Sequence, residues 1–281
     1  MEVITLNDNN TMPKLGFGTY KSTEQEGIEA VKIALKAGYR LIDTAAKYEN
    51  EEAVGRGIRG SGVAREEIFV TTKLWRENLG YEGARAELDR SLSKLGLDYI
   101  DLYLIHWPAN NKNYSDWQKV NSDTWRAMEE LQGERKIRSI GVSNFWPEHL
   151  NALFRTAKVV PAVNQIEYHP GYRQAELTEF CKENGIAVES WSPLARGKVF
   201  DNTVLNEISK KHDKSVAQIC LRWILQHDVI VIPKSSTPER IRDNIDVFDF
   251  ELTQEEIKQI DALPTFGFSG ELPNIWPDRV N

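Results

Sequence analysis

The sequence predicts an α/β fold, a closed (β/α)8 barrel, from three observations. Short β-branched runs alternate with longer helical patterns along the whole chain. Eight strand–helix units follow one another without a Pro/Gly/Ser-rich linker, which favours barrel closure over a doubly wound open sheet. The length, 281 residues, suits a barrel of about 250 residues with extensions at its ends. A single domain over 1–281 is expected.

In chain order, Val3–Leu6, a turn at Asn9-Asn10 and Thr11–Lys14 read as an N-terminal hairpin. Barrel strands are expected at Leu15–Gly18, Arg40–Ile42, Ile68–Thr72, Ile100–Ile105, Ser139–Val142, Ala162–Ile166, Ala187–Glu189 and Val229–Ile232. Helices are expected at Glu24–Ala37, Glu49–Gly57, Gly83–Leu95, Asp123–Glu134, Pro147–Thr156, Gln174–Asn184, Val216–Gln226 and Pro238–Asn244. Gly83–Leu95 illustrates the reasoning: Ala84, Leu88, Leu92 and Leu95 form one stripe at the helical period. Thr253–Ala262 adds a C-terminal helix, and 263–281 reads as an irregular tail. The segment 109–120 shows no pattern.

Composition narrows the function. A net charge of −7 and a pI near 5.4 argue against nucleic acid, whose binders present basic patches. No apolar run approaches the ~18 residues of a membrane span. Met1-Glu2-Val3-Ile4-Thr5-Leu6 lacks the basic and apolar regions of a secretory signal. Cys181 and Cys220 each sit in an amphipathic helical pattern and are expected as two buried thiols. A cytoplasmic location follows as the expectation, and the glycosylation-like Asn9-Asn10-Thr11 and Asn113-Tyr114-Ser115 then carry no meaning.

Reactive residues of such barrels sit at the C-terminal strand ends. Those ends read Gly18-Thr19-Tyr20, Asp43, Lys73, His106, Ser143-Asn144, Gln165, Trp191-Ser192 and Lys234-Ser235. A strand end is often polar only because the chain is entering solvent; Asp, Lys and His at three successive ends, with Tyr48 five residues past Asp43, form a more pointed set. A tyrosine is a poor acid, with an ordinary pKa of about 10. Lys73 at hydrogen-bond range would favour the phenolate and lower that pKa, while Asp43 holds the lysine. His106 would donate to a carbonyl oxygen. The set could polarise a carbonyl and protonate the alkoxide, given an external hydride from a nicotinamide cofactor.

Other motifs carry less. Gly55-Arg56-Gly57-Ile58-Arg59-Gly60 matches G-x-G-x-x-G but follows a helical stretch, whereas a dinucleotide fingerprint must follow a strand. His106, His149, His169, His212 and His227 show no metal-ligand spacing, and no C-x-x-C occurs, so no metal is expected. Glu167 and Glu189 near two strand ends could suggest a glycosidase pair, but the fourth strand ends in His106 with no carboxylate at its tip. Trp75, Trp107 and Trp276 are expected as pocket walls, and Trp191 could stack on a flat ring.

These residues carry a family resemblance. The chain resembles the aldo-keto reductases along nearly its whole length: at Gly38-Tyr39-Arg40-Leu41-Ile42-Asp43-Thr44-Ala45 with Tyr48, at Val70-Thr71-Thr72-Lys73-Leu74-Trp75, and at Leu97 to Pro108. Gly141-Val142-Ser143-Asn144-Phe145, Asn164 to Pro170, Ser192-Pro193-Leu194 and Ile232-Pro233-Lys234-Ser235 complete the series. It looks most like the bacterial branch containing 2,5-diketo-D-gluconate reductases and prostaglandin F synthase-like enzymes. The resemblance implies a TIM barrel, a monomer, and NADPH lying across the barrel mouth. It makes Tyr48 the general acid with Lys73, Asp43 and His106. Ser143, Asn144 and Gln165 would hold the nicotinamide carboxamide, Trp191 its ring, and Ser192 and Leu194 the pyrophosphate. Lys234, Ser235 and Arg240 would hold the 2′-phosphate and Asn244 the adenine, with Thr19 and Asp43 also at the cofactor. Tyr20, Tyr48, Trp75, His106 and Trp107 would face a small carbonyl substrate. Tyr20 stands where the family often has Trp, and Trp191 where Tyr is commoner. A non-catalytic NADP(H)-binding structural or regulatory protein of the same fold is the alternative expectation.

Overall fold

The computed structural model describes residues 2–280; Met1 and Asn281, the two ends of the expected domain, lie outside the described residues. Strands β1 (Val3–Thr5) and β2 (Thr11–Pro13) pair antiparallel. Asn9 turns the hairpin in the left-handed region, at φ 67°. The hairpin closes the barrel's N-terminal end: Leu6 and Met12 are buried against Leu41, Leu102, Leu104 and Ile230. Asn10 Nδ2 reaches Ser139 Oγ at 3.0 Å.

The barrel comprises β3 (Phe17–Gly18), β4 (Leu41–Asp43), β5 (Phe69–Leu74), β6 (Ile100–Ile105), β7 (Ile137–Ser143), β8 (Val163–Glu167), β9 (Ala187–Trp191) and β10 (Ile230–Val231). Each strand pairs in parallel with the next. The ring closes where Leu15 bridges Val231, with Gly16 N donating to Val231 O at 2.8 Å and Gly18 N to Pro233 O at 3.1 Å. Only glycine fits at position 16, because a Cβ would stand 2.4 Å from Leu41 Cγ inside the barrel.

Around the strands lie α1 (Glu24–Lys36), α2 (Glu51–Arg59), α3 (Tyr81–Leu95), α4 (Trp117–Gly133), α5 (Pro147–Phe154), α6 (Ala175–Glu183), α7 (Thr203–His212), α8 (Val216–Gln226), α9 (Pro238–Ile245) and α10 (Gln254–Asp261). Their apolar stripes bury a continuous outer core with the outward-facing strand residues Val70, Tyr103, Ile105, Ile140 and Val142. The glycine triplet lies in α2 and its cap. Gly55 is there for packing, since a Cβ would fall 2.0 Å from Leu95 O. Among the described residues, no helix is long and apolar enough to cross a membrane.

Most element ends shift by one or two residues from the expectation, and two differences are larger. Helix α4 begins at Trp117, inside the stretch that carried no pattern, and α7 was not anticipated. Only Leu205 and Ile208 of α7 are buried, so its periodic signal is thin; its N-cap is Asn202, whose side chain accepts from Leu205 N.

Candidate active site

Strand geometry brings the four expected catalytic residues to one point at the barrel mouth. Asp43 ends β4, Lys73 lies within β5, and His106 follows β6 directly. Tyr48 ends a 3-10 turn, Ala46–Tyr48, which Glu49 caps in the left-handed region at φ 57°. Lys73 is fully buried, with Nζ 2.7 Å from both Asp43 oxygens. The same ammonium donates to Thr44 O at 2.9 Å and to Tyr48 Oη at 3.3 Å. A buried cation needs partners of this kind. Burial works to lower the Lys73 pKa, but the Asp43 and Tyr48 oxygens prevail and hold it above the ordinary lysine value.

The acidity of Tyr48 corrects the expectation. Lys73 does pull it down, but burial of the hydroxyl outweighs the cation and pushes the phenol up to about 12. Tyr48 therefore holds its proton at neutral pH, and Lys73 limits the rise rather than creating a phenolate. Burial, together with the Lys73 charge, holds His106 well below its ordinary value, so its imidazole is neutral. One of its ring nitrogens is then a donor and the other an acceptor. The His106 ring stands edge-on to Tyr48 and Trp75, with centroids 5.6 and 5.1 Å away.

A neighbouring network ties these residues to the strand ends. Thr19, expected at the cofactor, is fully buried and donates its hydroxyl to Asp43 O at 2.9 Å, which fastens the end of β3 to β4. Asn50 donates to Thr19 O at 2.8 Å and accepts from Thr44 Oγ1 at 2.9 Å. Sequence reasoning did not single out Thr44, Asn50 or Glu189 as parts of this centre. Glu189 was weighed as a glycosidase acid, yet the alternation of β9 places it on the same face as Trp191, inside the barrel.

The expected nicotinamide residues form the next ring. Ser143 Oγ donates to Gln165 O at 2.8 Å and accepts from Asn144 Nδ2 at 3.0 Å. Asn144, held at φ 62°, also donates to His106 O at 3.0 Å. Its Oδ1 receives the Trp191 indole N–H at 2.9 Å, which pins the edge of that half-buried ring. Beyond β9, Ser192, Ala195 and Arg196 all have φ near 50° and Gly197 has φ 95°, and the chain folds into successive turns in which Ala195 N donates to Ser192 O and Gly197 N to Leu194 O, both at 2.8 Å. Past β10, Lys234 is exposed and Ser235 buried. Arg240 is exposed at the third position of α9, and Asn244 is buried further along it. Neither Lys234 nor Arg240 makes an ion pair among the described residues. These features fit an extended dinucleotide with a flat ring, a pyrophosphate and a further phosphate.

Tyr20 is exposed at the mouth, with its ring 4.9 Å from Tyr48. Trp276 from the tail inserts between Trp75, edge-on at 5.2 Å, and Trp107, stacked at 5.0 Å. Trp107 is only 6% exposed, so it backs the wall that Trp276 and Trp75 present. The tail is held by Asn110, whose Nδ2 donates to Pro273 O and Trp276 O at 2.7 and 3.0 Å. Glu167 also anchors it, accepting from Ser269 N and Oγ at 3.0 and 2.7 Å. With Glu167 committed to the tail and Glu189 to Gln165 at 2.7 Å, no carboxylate pair faces a common substrate and the glycosidase reading fails. Among the described residues, no cluster of three His, Cys, Asp or Glu could hold a metal ion. A concavity of about 450 Å³ at the opposite end, between Ile4–Asn7 and α6, contains none of these residues.

Residues 14–264 match the Aldo/keto reductase family. The chain belongs to that family. It is 52% identical over 263 residues to the glyoxal reductase of Bacillus subtilis (strain 168), covering 93% of this chain and 92% of that protein. It is 51% identical over 266 residues to the 9,11-endoperoxide prostaglandin H2 reductase of Trypanosoma cruzi (strain CL Brener), covering 92% of this chain and 90% of that one. Among solved structures, a Gox0644 variant in complex with NADPH superposes with a TM-score of 0.90 at 41% identity, over 97% of both chains. As in other members of this aldo-keto reductase fold, the site occupies the C-terminal face of the barrel, where the loops after the strands converge.

Proposed function

We propose that this chain is an NADPH-dependent oxidoreductase that reduces aldehydes and ketones to alcohols. The observation that carries the reading is the Tyr48 hydroxyl 3.3 Å from a fully buried lysine that Asp43 clamps. NADPH, when bound, supplies the hydride that reaches the carbonyl carbon. Tyr48 gives its proton to the carbonyl oxygen, and the phenolate left behind is stabilised by Lys73, whose charge Asp43 balances. Neutral His106 donates an N–H to the same oxygen and orients it. Ser143, Asn144 and Gln165 hold the carboxamide, Trp191 supports the ring, and the Ser192–Gly197 loop with Leu194 wraps the pyrophosphate. Lys234, Ser235 and Arg240 receive the 2′-phosphate, and Asn244 lies at the adenine.

Small carbonyls, including α-dicarbonyls and keto-sugars, are the substrate class, supported by the aromatic wall around His106 and by the relative named glyoxal reductase. The enzyme is read as one domain over 1–281, a monomer of the cytoplasm; the two free, buried thiols of Cys181 and Cys220 accord with a reducing compartment. Tyr48→Phe tests the reaction. It keeps the ring and deletes the proton donor, so the variant should fold, bind NADPH and lose about 10²–10⁴-fold in turnover. Wild-type turnover of NADPH against aldehydes, α-dicarbonyls and keto-sugars separates an enzyme from a non-catalytic NADP(H)-binding protein. Near wild-type turnover in Tyr48→Phe would remove Tyr48 from the mechanism.

A further inference from the structure

Glu189 has no part in the reaction just described, yet it lies fully buried in the barrel interior beside a second carboxylate. The link between them is Gln165, its register partner on β8. Gln165 Nε2 lies 2.9 Å from Asp43 Oδ2 and 2.7 Å from Glu189 Oε2. Lys73 Nζ donates to both Asp43 oxygens at 2.7 Å, so the carboxylate faces Gln165 as an acceptor and the Gln165 atom towards it is the amide nitrogen. The same nitrogen meets Glu189, which accepts the other amide hydrogen. Burial and the nearby Asp43 charge push the Glu189 pKa up. Its Oε2 is occupied as an acceptor, and Oε1 has no partner among the described residues.

From this geometry we infer that Glu189 is a positioning residue: with Asp43 it consumes both N–H groups of Gln165, fixes the amide plane, and leaves Oε1 of Gln165 as the group presented to the cofactor. A carbonyl oxygen accepts, so it selects the NH2 of a carboxamide rather than its C=O. With Asp43 alone, one amide hydrogen would be free and the plane could rotate about the single remaining bond. This rests on the reading of Gln165 as a carboxamide ligand, and the test separates the two.

The probe is the binding of NADP+ compared with its 3-acetylpyridine analogue, which keeps the ring carbonyl and lacks the NH2, measured by titration calorimetry on the full chain. In the wild type, NADP+ should be favoured by about three- to tenfold, the worth of one hydrogen bond. Glu189→Leu should shrink that preference towards unity, and Glu189→Gln, which keeps an acceptor oxygen for Gln165, should restore it. General loosening of the barrel would weaken both dinucleotides alike and leave the ratio unchanged. Gln165→Met is the control. If it abolishes the preference while Glu189→Leu leaves it intact, Gln165 binds the carboxamide and the positioning role of Glu189 is overturned. If Gln165→Met leaves the preference intact, the carboxamide reading of Gln165 itself fails, and the inference with it.

Discussion

Replacing Lys73 by Met removes a charge while keeping an unbranched chain of similar bulk in the barrel. Asp43 then remains 2% exposed with, among the described residues, a single hydrogen-bond donor to its carboxylate, Gln165 Nε2 at 2.9 Å. Thr44 O loses its 2.9 Å donor at the same time. Breaking a buried pair in this way costs about 3–5 kcal/mol. Over 281 residues the entropy of unfolding makes each kcal/mol worth about 1.7 °C, so Tm should fall by about 5–8 °C. The sign with pH follows from the Lys73 pKa being raised in the folded state. The pair's contribution is whole below the unfolded lysine value and disappears only as pH rises through the folded one, so the full deficit is present at neutral pH. Chemistry should change too. Losing the cation removes the interaction that restrains the rise of Tyr48 to about 12, and carbonyl reduction should fall by about ten- to a hundredfold for one charged hydrogen bond. In the reverse direction Tyr48 must act as a phenolate, so alcohol oxidation should climb with pH, and in Lys73→Met the climb should move to higher pH. Calorimetry gives the stability, and initial rates against pH give the second quantity. A pH profile for alcohol oxidation that overlays the wild type would refute the role of the lysine, whatever the loss in Tm.

If the exposed guanidinium of Arg240 receives the 2′-phosphate as proposed, Arg240→Ala should weaken NADPH by about ten- to a hundredfold and leave NADH unchanged; Michaelis constants for both cofactors decide it, and equal losses would dismiss the assignment. Trp276→Ala should raise KM for aromatic aldehydes about tenfold with kcat little changed, since Trp276 stands against Trp75 and Trp107 and not against Tyr48; a fall confined to kcat would contradict this. Burial works to raise the Glu256 pKa, but hydrogen bonds from Lys211, Thr253 and His212 prevail and bring it to about 2. Its stabilisation is therefore present above the ordinary Glu value and lost as pH falls from there towards 2. Glu256→Gln should cost about 1 kcal/mol at neutral pH and little in acid, so an equal deficit in both, by thermal unfolding, would count against it.

Much of this molecule is legible in its sequence because barrel strands are buried on both faces and read as apolar runs. Ile100–Ile105 and Val216–Gln226 have the boundaries expected of them. Asp43, Lys73 and His106 stand out because each interrupts or ends such a run with a group that is costly to bury. Nucleotide roles were legible only through family resemblance, since Ser143 or Lys234 alone is an ordinary strand-end residue. What escaped depended on closure in space. Glu189 and Asp43 lie 146 positions apart (189 − 43) and meet through Gln165 across the barrel, and no local pattern announces such a meeting. The sign of the Tyr48 shift escaped for a related reason: proximity to a lysine can be inferred from strand ends, but the depth of the hydroxyl cannot. Helix α7, with two buried residues, lacked the stripe by which a helix declares itself.

The wall completed by Trp276 belongs to a stretch of chain that adds no rung to the barrel. Beside the clasps of Asn110 and Glu167, it is held by Arg196 to Glu271, Lys112 to Asp278 and the stacking of Phe268 on Tyr172, while Tyr48, Lys73 and His106 draw their positions from strands and their immediate turns. Bond-making and shape selection are thus written in separable paragraphs of the sequence. Substitutions in that stretch can therefore reshape the wall while the barrel keeps Tyr48, Lys73 and His106 in place, a redecoration and not a rebuilding.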